Sequence, residues 1–464
     1  MSSAKLDLSA AHHIHIVGAG GAGMNAIASV LASMGQTVTG SDLKDSAGLD
    51  RLRSLGVRTW VGHAANQIQG AQYLAVSTAI PANNPEVLAA REAGIPVLRR
   101  AEILAAISSC THTVAVSGTH GKTTTSSMLA LMLIEAGMQP SFIIGGDLHE
   151  IGSGAVWDTG DVFVVEADES DGTFIELGAE HVLVTNVEAD HLDYYGTFDA
   201  LRQSFVKFVS EAPGTRVICA DDLHASEIAS EYSATTYGFS ENADVRISSY
   251  EPRGNGSRFL VSIDDGPPVK MDLAVPGRHN ALNATGALSL ALAVGADLDA
   301  ARRALDRYAG VGRRFEFRGD INGITFVDDY AHLPTEVRAA LSAAKDGQWR
   351  RVIAVFQPHR FSRTANVWRD FADSFTQADH TLLMGIYPAG ESAVPGITGK
   401  LIVDAVKGFD PETPLDYCEN LPEAEEFLAQ FLEPGDLCIT LGAGDVTLLP
   451  DRVQQRIASF GGRQ

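Results

Sequence analysis

One ten-residue stretch limits what this chain can fold into more than any other: Val116-Ser-Gly-Thr-His-Gly-Lys-Thr-Thr-Thr125. A β-type apolar run, Thr113–Ser117, enters it, and a long apolar helical pattern leaves it and continues through Glu135. A strand that turns on glycine and departs as a helix is the building unit of parallel α/β folds. Gly118 and Gly121 let the backbone curl until successive N–H groups face an anion. The helix N-terminus adds its positive dipole end. Lys122 brings a point charge to the β/γ phosphates, and the Thr123 hydroxyl suits Mg²⁺. Thr119, His120 and Thr124 complete the loop. Only two residues separate Gly118 from Gly121, where the common phosphate loop has four. An ordinary turn that happens to contain Gly-Lys-Thr is the alternative. The shared register of strand, glycines, lysine, threonine and helix argues against it.

A second glycine loop, Gly18-Ala-Gly-Gly-Ala-Gly23, follows the strand pattern His13–Val17 and precedes apolar residues at helical spacing, Ile27, Val30, Leu31 and Met34. Gly18, Gly20, Gly21 and Gly23 are candidate diphosphate contacts. Asp42 ends the next strand about 20 residues on, as in dinucleotide-binding folds. Such a loop accepts any diphosphate, so a nucleotide-sugar suits it as well as NAD. Two phosphate loops in one chain favour two different nucleotide ligands. Further strands are expected at Gln36–Ser41, Tyr73–Ser77, Val162–Glu166, His181–Thr185, Arg216–Ala220, Ile324–Val327, Arg351–Phe356, His380–Met384 and Leu437–Leu441. Short alternating segments at Arg258–Ile263 and Val269–Val275 read as antiparallel edge strands.

Acids and histidines follow the Lys122 loop. Glu166 ends the strand Val162–Glu166, at the sheet edge where open α/β folds bind ligands. A carboxylate facing a triphosphate needs a metal between them, so Glu166 is a candidate Mg²⁺ ligand. Ser170 lies in the same segment and is a candidate substrate contact. Asp168, Glu169 and Asp171 read singly as a solvated acidic loop. His191, in Thr185-Asn-Val-Glu-Ala-Asp-His191, stands at the same edge. It is a candidate metal ligand, although Mg²⁺ prefers oxygen.

Lys plus Arg number 35 and Asp plus Glu 58, a net charge of −23. That argues against duplex nucleic acid as the main partner and against a polybasic membrane anchor. No apolar run reaches the length of a membrane span. The polar N-terminus has no secretory h-region, and Cys110, Cys219, Cys418 and Cys438 form no CxxC pair. A reducing cytoplasm is the expected setting.

Together these segments resemble the Mur ligase family, ATP-dependent amide-forming enzymes of peptidoglycan precursor synthesis. The resemblance rests on Gly118–Thr125, Glu166, Asn186…Asp190-His191, His279-Asn280 with Asn283, Gly312-Arg313-Arg314-Phe-Glu316, Asp328-Asp-Tyr-Ala-His332 and Gln357-Pro-His-Arg-Phe-Ser-Arg363. It implies an α/β protein of three domains: Rossmann-like over 1–110 for a UDP-sugar, a P-loop ATPase-type domain with a mixed sheet over 111–318, and Rossmann-like over 319–464 for the amino acid. It implies ATP and Mg²⁺ as cofactors, with UDP-N-acetylmuramate and L-alanine as small-molecule substrates. By similarity, Asn280 and Asn283 lie near adenine, Arg313 reaches the ATP phosphates, and Asp329 the nucleotide. Tyr330, His332, His359, Arg360 and Arg363 face the muramoyl carboxylate and the amino acid. Lys122, Glu166, His191, Arg360 and Arg363 carry the chemistry. A monomer or weak homo-dimer without membrane insertion is expected. The competing readings are a ligase of the same family that attaches a peptide, an NAD-dependent oxidoreductase built on Gly18–Gly23, and a non-catalytic nucleotide-binding module.

Overall fold

The computed structural model describes residues 6–461. In chain order the first elements are β1 (His13–Val17), α1 (Ala22–Ser33), β2 (Thr37–Asp42), α2 (Ala47–Ser54), β3 (Arg58–Val61), β4 (Tyr73–Val76), α3 (Pro85–Glu92), β5 (Val97–Arg99) and α4 (Arg100–Ser108). The strands form a parallel sheet of order β3-β2-β1-β4-β5. Ile14, Ile16 and Val17 of β1 are fully buried, and α1 covers the sheet with Ile27, Val30 and Leu31. Strand order reverses between β1 and β4. A crevice opens at such a reversal beyond the carboxyl ends of the strands, and the Gly18 loop sits there.

The central elements are β6 (His112–Ser117), α5 (Lys122–Glu135), β7 (Ser141–Leu148), β8 (Ser153–Val156), β9 (Val162–Glu166), β10 (His181–Val184), α6 (Leu192–Tyr195), α7 (Phe198–Glu211), β11 (Arg216–Cys219), α8 (Leu223–Glu231) and β12 (Thr235–Gly238). They run β12-β11-β10-β6-β9-β7-β8 within a ten-stranded sheet. This part of it is parallel except for the β7–β8 hairpin, which makes it mixed. β6 lies between β10 and β9, with Val116 opposite Glu166 and Ser117 opposite Val184. The phosphate loop, Glu166 and the Thr185–His191 segment therefore leave the same edge of the sheet.

Next come β13 (Val245–Arg253), β14 (Gly256–Ile263), β15 (Val269–Leu273), α9 (Arg278–Ala293) and α10 (Leu298–Arg307). The last elements are β16 (Glu316–Ile321), β17 (Ile324–Asp329), α11 (Pro334–Lys345), β18 (Arg351–Phe356), α12 (Phe361–Val367), β19 (His380–Met384), α13 (Lys400–Phe409), β20 (Leu415–Cys418), α14 (Leu421–Phe431), β21 (Asp436–Leu441) and α15 (Leu449–Gly461). Their sheet, β16-β17-β21-β18-β19-β20, is parallel save for β16 against β17. The described chain forms two compact units. One holds residues up to 248 with 261–269 and 282–305, and therefore both the first and the central sheet. The other holds 249–260, 270–281 and 306 onward. Among the described residues no helix is long and apolar enough to cross a membrane, and the four cysteines are free.

Candidate active site

The loop between β6 and α5 is shaped by its glycines. Gly118 has φ +135° and Gly121 φ +80°, values that side-chain-bearing residues rarely adopt. A Cβ on Gly118 would collide with the Thr185 hydroxyl, and one on Gly121 would lie 2.6 Å from Asn283 Oδ1. The segment after β10 clamps the loop from the side. The Thr185 hydroxyl donates to His120 O (2.6 Å), Asn186 Nδ2 donates to the same oxygen (3.1 Å), and His120 N–H donates to Asn186 Oδ1 (2.8 Å). Thr119 N–H donates to Asn186 O (3.1 Å), and Glu188 N–H donates to Thr119 Oγ1 (2.9 Å). His120 Nε2 lies 3.1 Å from Glu188.

Lys122 opens α5 and folds back over the loop. Its ammonium donates to Gly118 O (2.7 Å), to Thr119 O (3.3 Å) and to Glu169, whose two oxygens lie 2.9 and 2.8 Å away. Burial works against the charge on Lys122. Glu169 and Asp168 more than offset it and hold the ammonium above its ordinary range. The Glu169 side chain is only 1 % exposed. This corrects the solvated-loop expectation for that residue: the acid is the internal counter-ion of the phosphate-loop lysine. The Tyr195 hydroxyl fixes its backbone by donating to Glu169 O (2.6 Å). Ser170 N–H donates to Asp168 Oδ1 (3.1 Å) and turns the chain there.

Thr123 and Glu166 meet. The Thr123 hydroxyl donates to Glu166 Oε1 (3.1 Å), and Gly145 N–H donates to Oε2 (2.8 Å). Paired hard oxygens of this kind fit Mg²⁺. His191 goes elsewhere: its Nε2 lies 3.3 Å from Asp190 and 3.8 Å from Glu169. It has φ +54°, a sparsely populated conformation for a residue with a side chain. Among the described residues no three His, Cys, Asp or Glu side chains converge as a metal cage. Thr123 with Glu166 is the pair of hard oxygen donors that the fold brings together.

At the first glycine loop, Gly18 has φ +81°. Asp42 accepts from Gly20 N–H (2.9 Å) and so braces the loop from within. A Cβ on Gly20 would lie 2.9 Å from Asp42 Oδ2, and one on Gly23 3.2 Å from the Arg100 guanidinium carbon. Both glycines keep the backbone open to close approach. A cavity of about 480 Å³ begins at this loop. Its wall includes Gly20, Gly23, Arg51 and Arg100 on one side and Gly145, Glu166 and Asp168 on the other. Arg51 pairs with Asp147 of the β7–β8 hairpin (2.9 Å) across its rim. Arg100 and Arg51 had no signal in the sequence beyond their charge.

The remaining candidates fall in two groups. Asn283 stands beside Gly121, while Asn280, one turn earlier on α9, is buried and donates to Pro276 O (2.7 Å). In the second unit, Arg313 (φ +61°) donates to Asp328 (3.2 Å) and Gly442 O (2.7 Å), and its guanidinium lies over the Tyr330 ring. Asp329 accepts from Phe315 and Ala331 N–H, and burial pushes its carboxyl up to about 6. His332 Nδ1 faces Tyr330 O (3.0 Å) and Glu336 (3.3 Å). His359 stacks on Tyr387, and Arg363 donates to its Nδ1 (3.1 Å). Burial, then Arg363, depress His359 to about 4, so its ring is neutral at pH 7. The exposed Arg360 has φ +70°, a strained backbone held by Arg360 N–H donating to Tyr387 O (2.8 Å).

Comparison with known proteins gives one result throughout. The Mur ligase family catalytic domain matches residues 13–111, the Mur ligase middle domain 116–291, and the Mur ligase glutamate ligase domain 313–444. A UDP-N-acetylmuramate–L-alanine ligase of Halorhodospira halophila is 44% identical, covering 97% of this chain and 94% of its own. One of Solidesulfovibrio magneticus is 44% identical over 93% of this chain and 95% of its own. Among solved structures, the UDP-N-acetylmuramate-alanine ligase of Thermotoga maritima superposes with a TM-score of 0.82 at 29% identity, covering 97% of this chain and all of that one. A murein peptide ligase of Psychrobacter arcticus gives 0.70 at 24% identity, covering 98% of this chain and 99% of that one, a likeness of fold.

Proposed function

The chain belongs to the Mur ligase family, and we propose that it joins L-alanine to the carboxylate of UDP-N-acetylmuramate at the expense of ATP. The observation that carries this reading is the cavity whose wall runs from the Gly20–Gly23 loop to Glu166 and Asp168, beside the Lys122 loop. It lets a nucleotide-sugar and a nucleoside triphosphate meet. The alanine-adding relatives at 44% identity support L-alanine over a peptide as the amine. An oxidoreductase built on Gly18–Gly23 finds no support among these relatives.

A carboxylate does not react with an amine at neutral pH, because its leaving group is poor. Transfer of the γ-phosphoryl group to the lactyl carboxylate makes an acyl phosphate and ADP. The neutral amine then attacks the acyl carbon, phosphate leaves, and one proton is released. The first step needs two anions held together, so positioning and charge neutralisation dominate. Lys122 meets the β/γ phosphates, and the N–H groups of Gly118–Thr124 cradle them. Thr123 and Glu166 would hold Mg²⁺, which neutralises triphosphate charge when bound. His191 would hold a second Mg²⁺ or orient the acyl phosphate. Asn283, Asn280, Arg313 and Asp329 contact the ATP. Gly18, Gly20, Gly21 and Gly23, with Asp42 as their brace, take the UDP diphosphate, and Ser170 the sugar end. Tyr330, His332, His359, Arg360 and Arg363 face the muramoyl carboxylate and alanine. The segments matched at 13–111, 116–291 and 313–444 support three domains near 1–110, 111–318 and 319–464. A reaction fed by ATP and a nucleotide-sugar suits the cytoplasm, and we take the enzyme as a monomer or weak dimer. The test is phosphate release with UDP-N-acetylmuramate across the amino acids and a tripeptide, with mass measurement of the product. Release that does not require both UDP-N-acetylmuramate and an amine overturns the assignment. A preference for the tripeptide moves the chain to peptide ligation.

A further inference from the structure

An ammonium group has three protons to donate. On Lys122 the partners are the carbonyls of Gly118 and Thr119, which belong to the loop itself, and the carboxylate of Glu169. The lysine that should greet a phosphate is thus already satisfied. Oε1 of Glu169 accepts from Nζ at 2.9 Å, while Oε2 lies 2.8 Å from it without a hydrogen bond of its own, so the carboxylate stands where a phosphate oxygen would. The acid is held in that place from several sides. The Tyr195 hydroxyl ties its backbone, Asp168 turns the adjoining residue, and His191 flanks the carboxylate at 3.8 Å.

We propose that Glu169 is an internal stand-in for nucleotide phosphate, a latch that occupies Lys122 until a triphosphate displaces it. The proposal rests on the reading of Gly118–Thr124 as the triphosphate site. It makes Glu169 a positioning residue that acts through Lys122. The latch keeps the buried ammonium paired and in register when the site holds no nucleotide, since an unpaired buried charge would distort the loop. In exchange, every nucleotide that binds must compete with a charged partner. A hydrogen bond to a charged partner is roughly twice as strong as one to a neutral partner. Replacing the carboxylate by an amide therefore leaves Lys122 bonded but lowers the free-energy cost of exchanging that partner for phosphate.

The experiment is titration calorimetry of the full chain with AMP-PNP and Mg²⁺, wild type against Glu169→Gln. The expected result is a Kd for AMP-PNP at least about tenfold lower in the variant, a change of about 1.4 kcal/mol. An equal or weaker affinity in Glu169→Gln overturns the latch, and a merely structural role for Glu169 would weaken binding. A wild type that binds no AMP-PNP overturns the triphosphate site itself, and the latch with it. Should Glu169→Gln fail to fold, Glu169→Asp serves. Its carboxylate is one methylene short of Lys122, so tighter binding than wild type supports the latch and unchanged or weaker binding overturns it.

Discussion

Lys122→Ala removes the charge proposed to meet the triphosphate, and the burial of Glu169 makes it a stability experiment too. The Lys122 side chain is 14 % exposed and that of Glu169 1 %. Truncating the lysine removes the ammonium paired with that carboxylate and leaves His191 beside it at 3.8 Å. Breaking a buried ion pair from one side costs about 3–5 kcal/mol, because the remaining charge is stranded. Against a total stability of about 5–15 kcal/mol that is a large share. A chain with several domains does not unfold in one step, so the loss should be read locally. Native-state hydrogen exchange on peptides covering β6, β9 and α5 reports it. Protection there should fall by about 10²·² to 10³·⁷, at 1.36 kcal/mol per tenfold. The double variant Lys122→Ala/Glu169→Gln removes the stranded charge and should recover most of that protection. Phosphate release should stay lower than wild type by several orders of magnitude in both. Protection within about fivefold of wild type in Lys122→Ala, or no recovery in the double variant, would refute the reasoning.

Three further outcomes follow from the same geometry. Gly118→Ala forces a side chain into φ +135° and against the Thr185 hydroxyl, which should cost about 2–4 kcal/mol. Adding Thr185→Ala should return about 1 kcal/mol of that, and strictly additive losses of native-state hydrogen-exchange protection around β6 would show that no clash existed. Glu166→Ala leaves Thr123 as a lone oxygen donor, so the Mg²⁺ concentration for half-maximal phosphate release should rise by at least about tenfold; an unchanged metal titration removes Glu166 from the site. His279 is depressed to about 4 by burial and then by Arg314. It takes up its proton near pH 6.5 when unfolded and near 4 when folded, so its contribution is intact above pH 6.5 and is lost as pH falls toward 4. His279→Gln should flatten the fall in melting temperature between pH 7 and pH 5, and an equally steep fall would discount it.

Much of the fold was legible because parallel strands buried on both faces are apolar runs that end abruptly. His13–Val17, Val162–Glu166, Arg351–Phe356 and His380–Met384 fall where the runs predict. Pro334 opens α11 at its first position, as proline prefers. The β7–β8 hairpin left no such trace. Ser141–Leu148 begins buried and then passes through Gly145 and Gly146 to Asp147, with neither a run nor an alternation. Its second half is shaped by contacts instead. Gly145 offers its N–H to Glu166, and Asp147 takes Arg51. Helix α12 ends at Val367 and continues as a 3₁₀ turn through Phe371.

In the site, what the sequence carried was chemistry along the chain, and what it hid was pairing across it. Lys122, Thr123, Gly118 and Gly121 announce themselves by spacing, because one turn holds them all. Glu169 stands 47 residues from the lysine it neutralises, inside a run of acids that resembles a solvated loop. The net charge of −23 is equally silent, since Glu166, Asp168 and Glu169 surround the cation meant for an anionic ligand. A triphosphate entering that pocket meets acids on several sides, and two unit charges 4 Å apart interact by about 4 kcal/mol even at an effective dielectric of 20. Binding there has to be an exchange of partners rather than an addition of charge: Lys122 must leave Glu169, and Glu166 must share its charge with a cation. The short loop and its acids are therefore one device, and substitutions in either should change the other's behaviour more than the sum of their separate effects predicts.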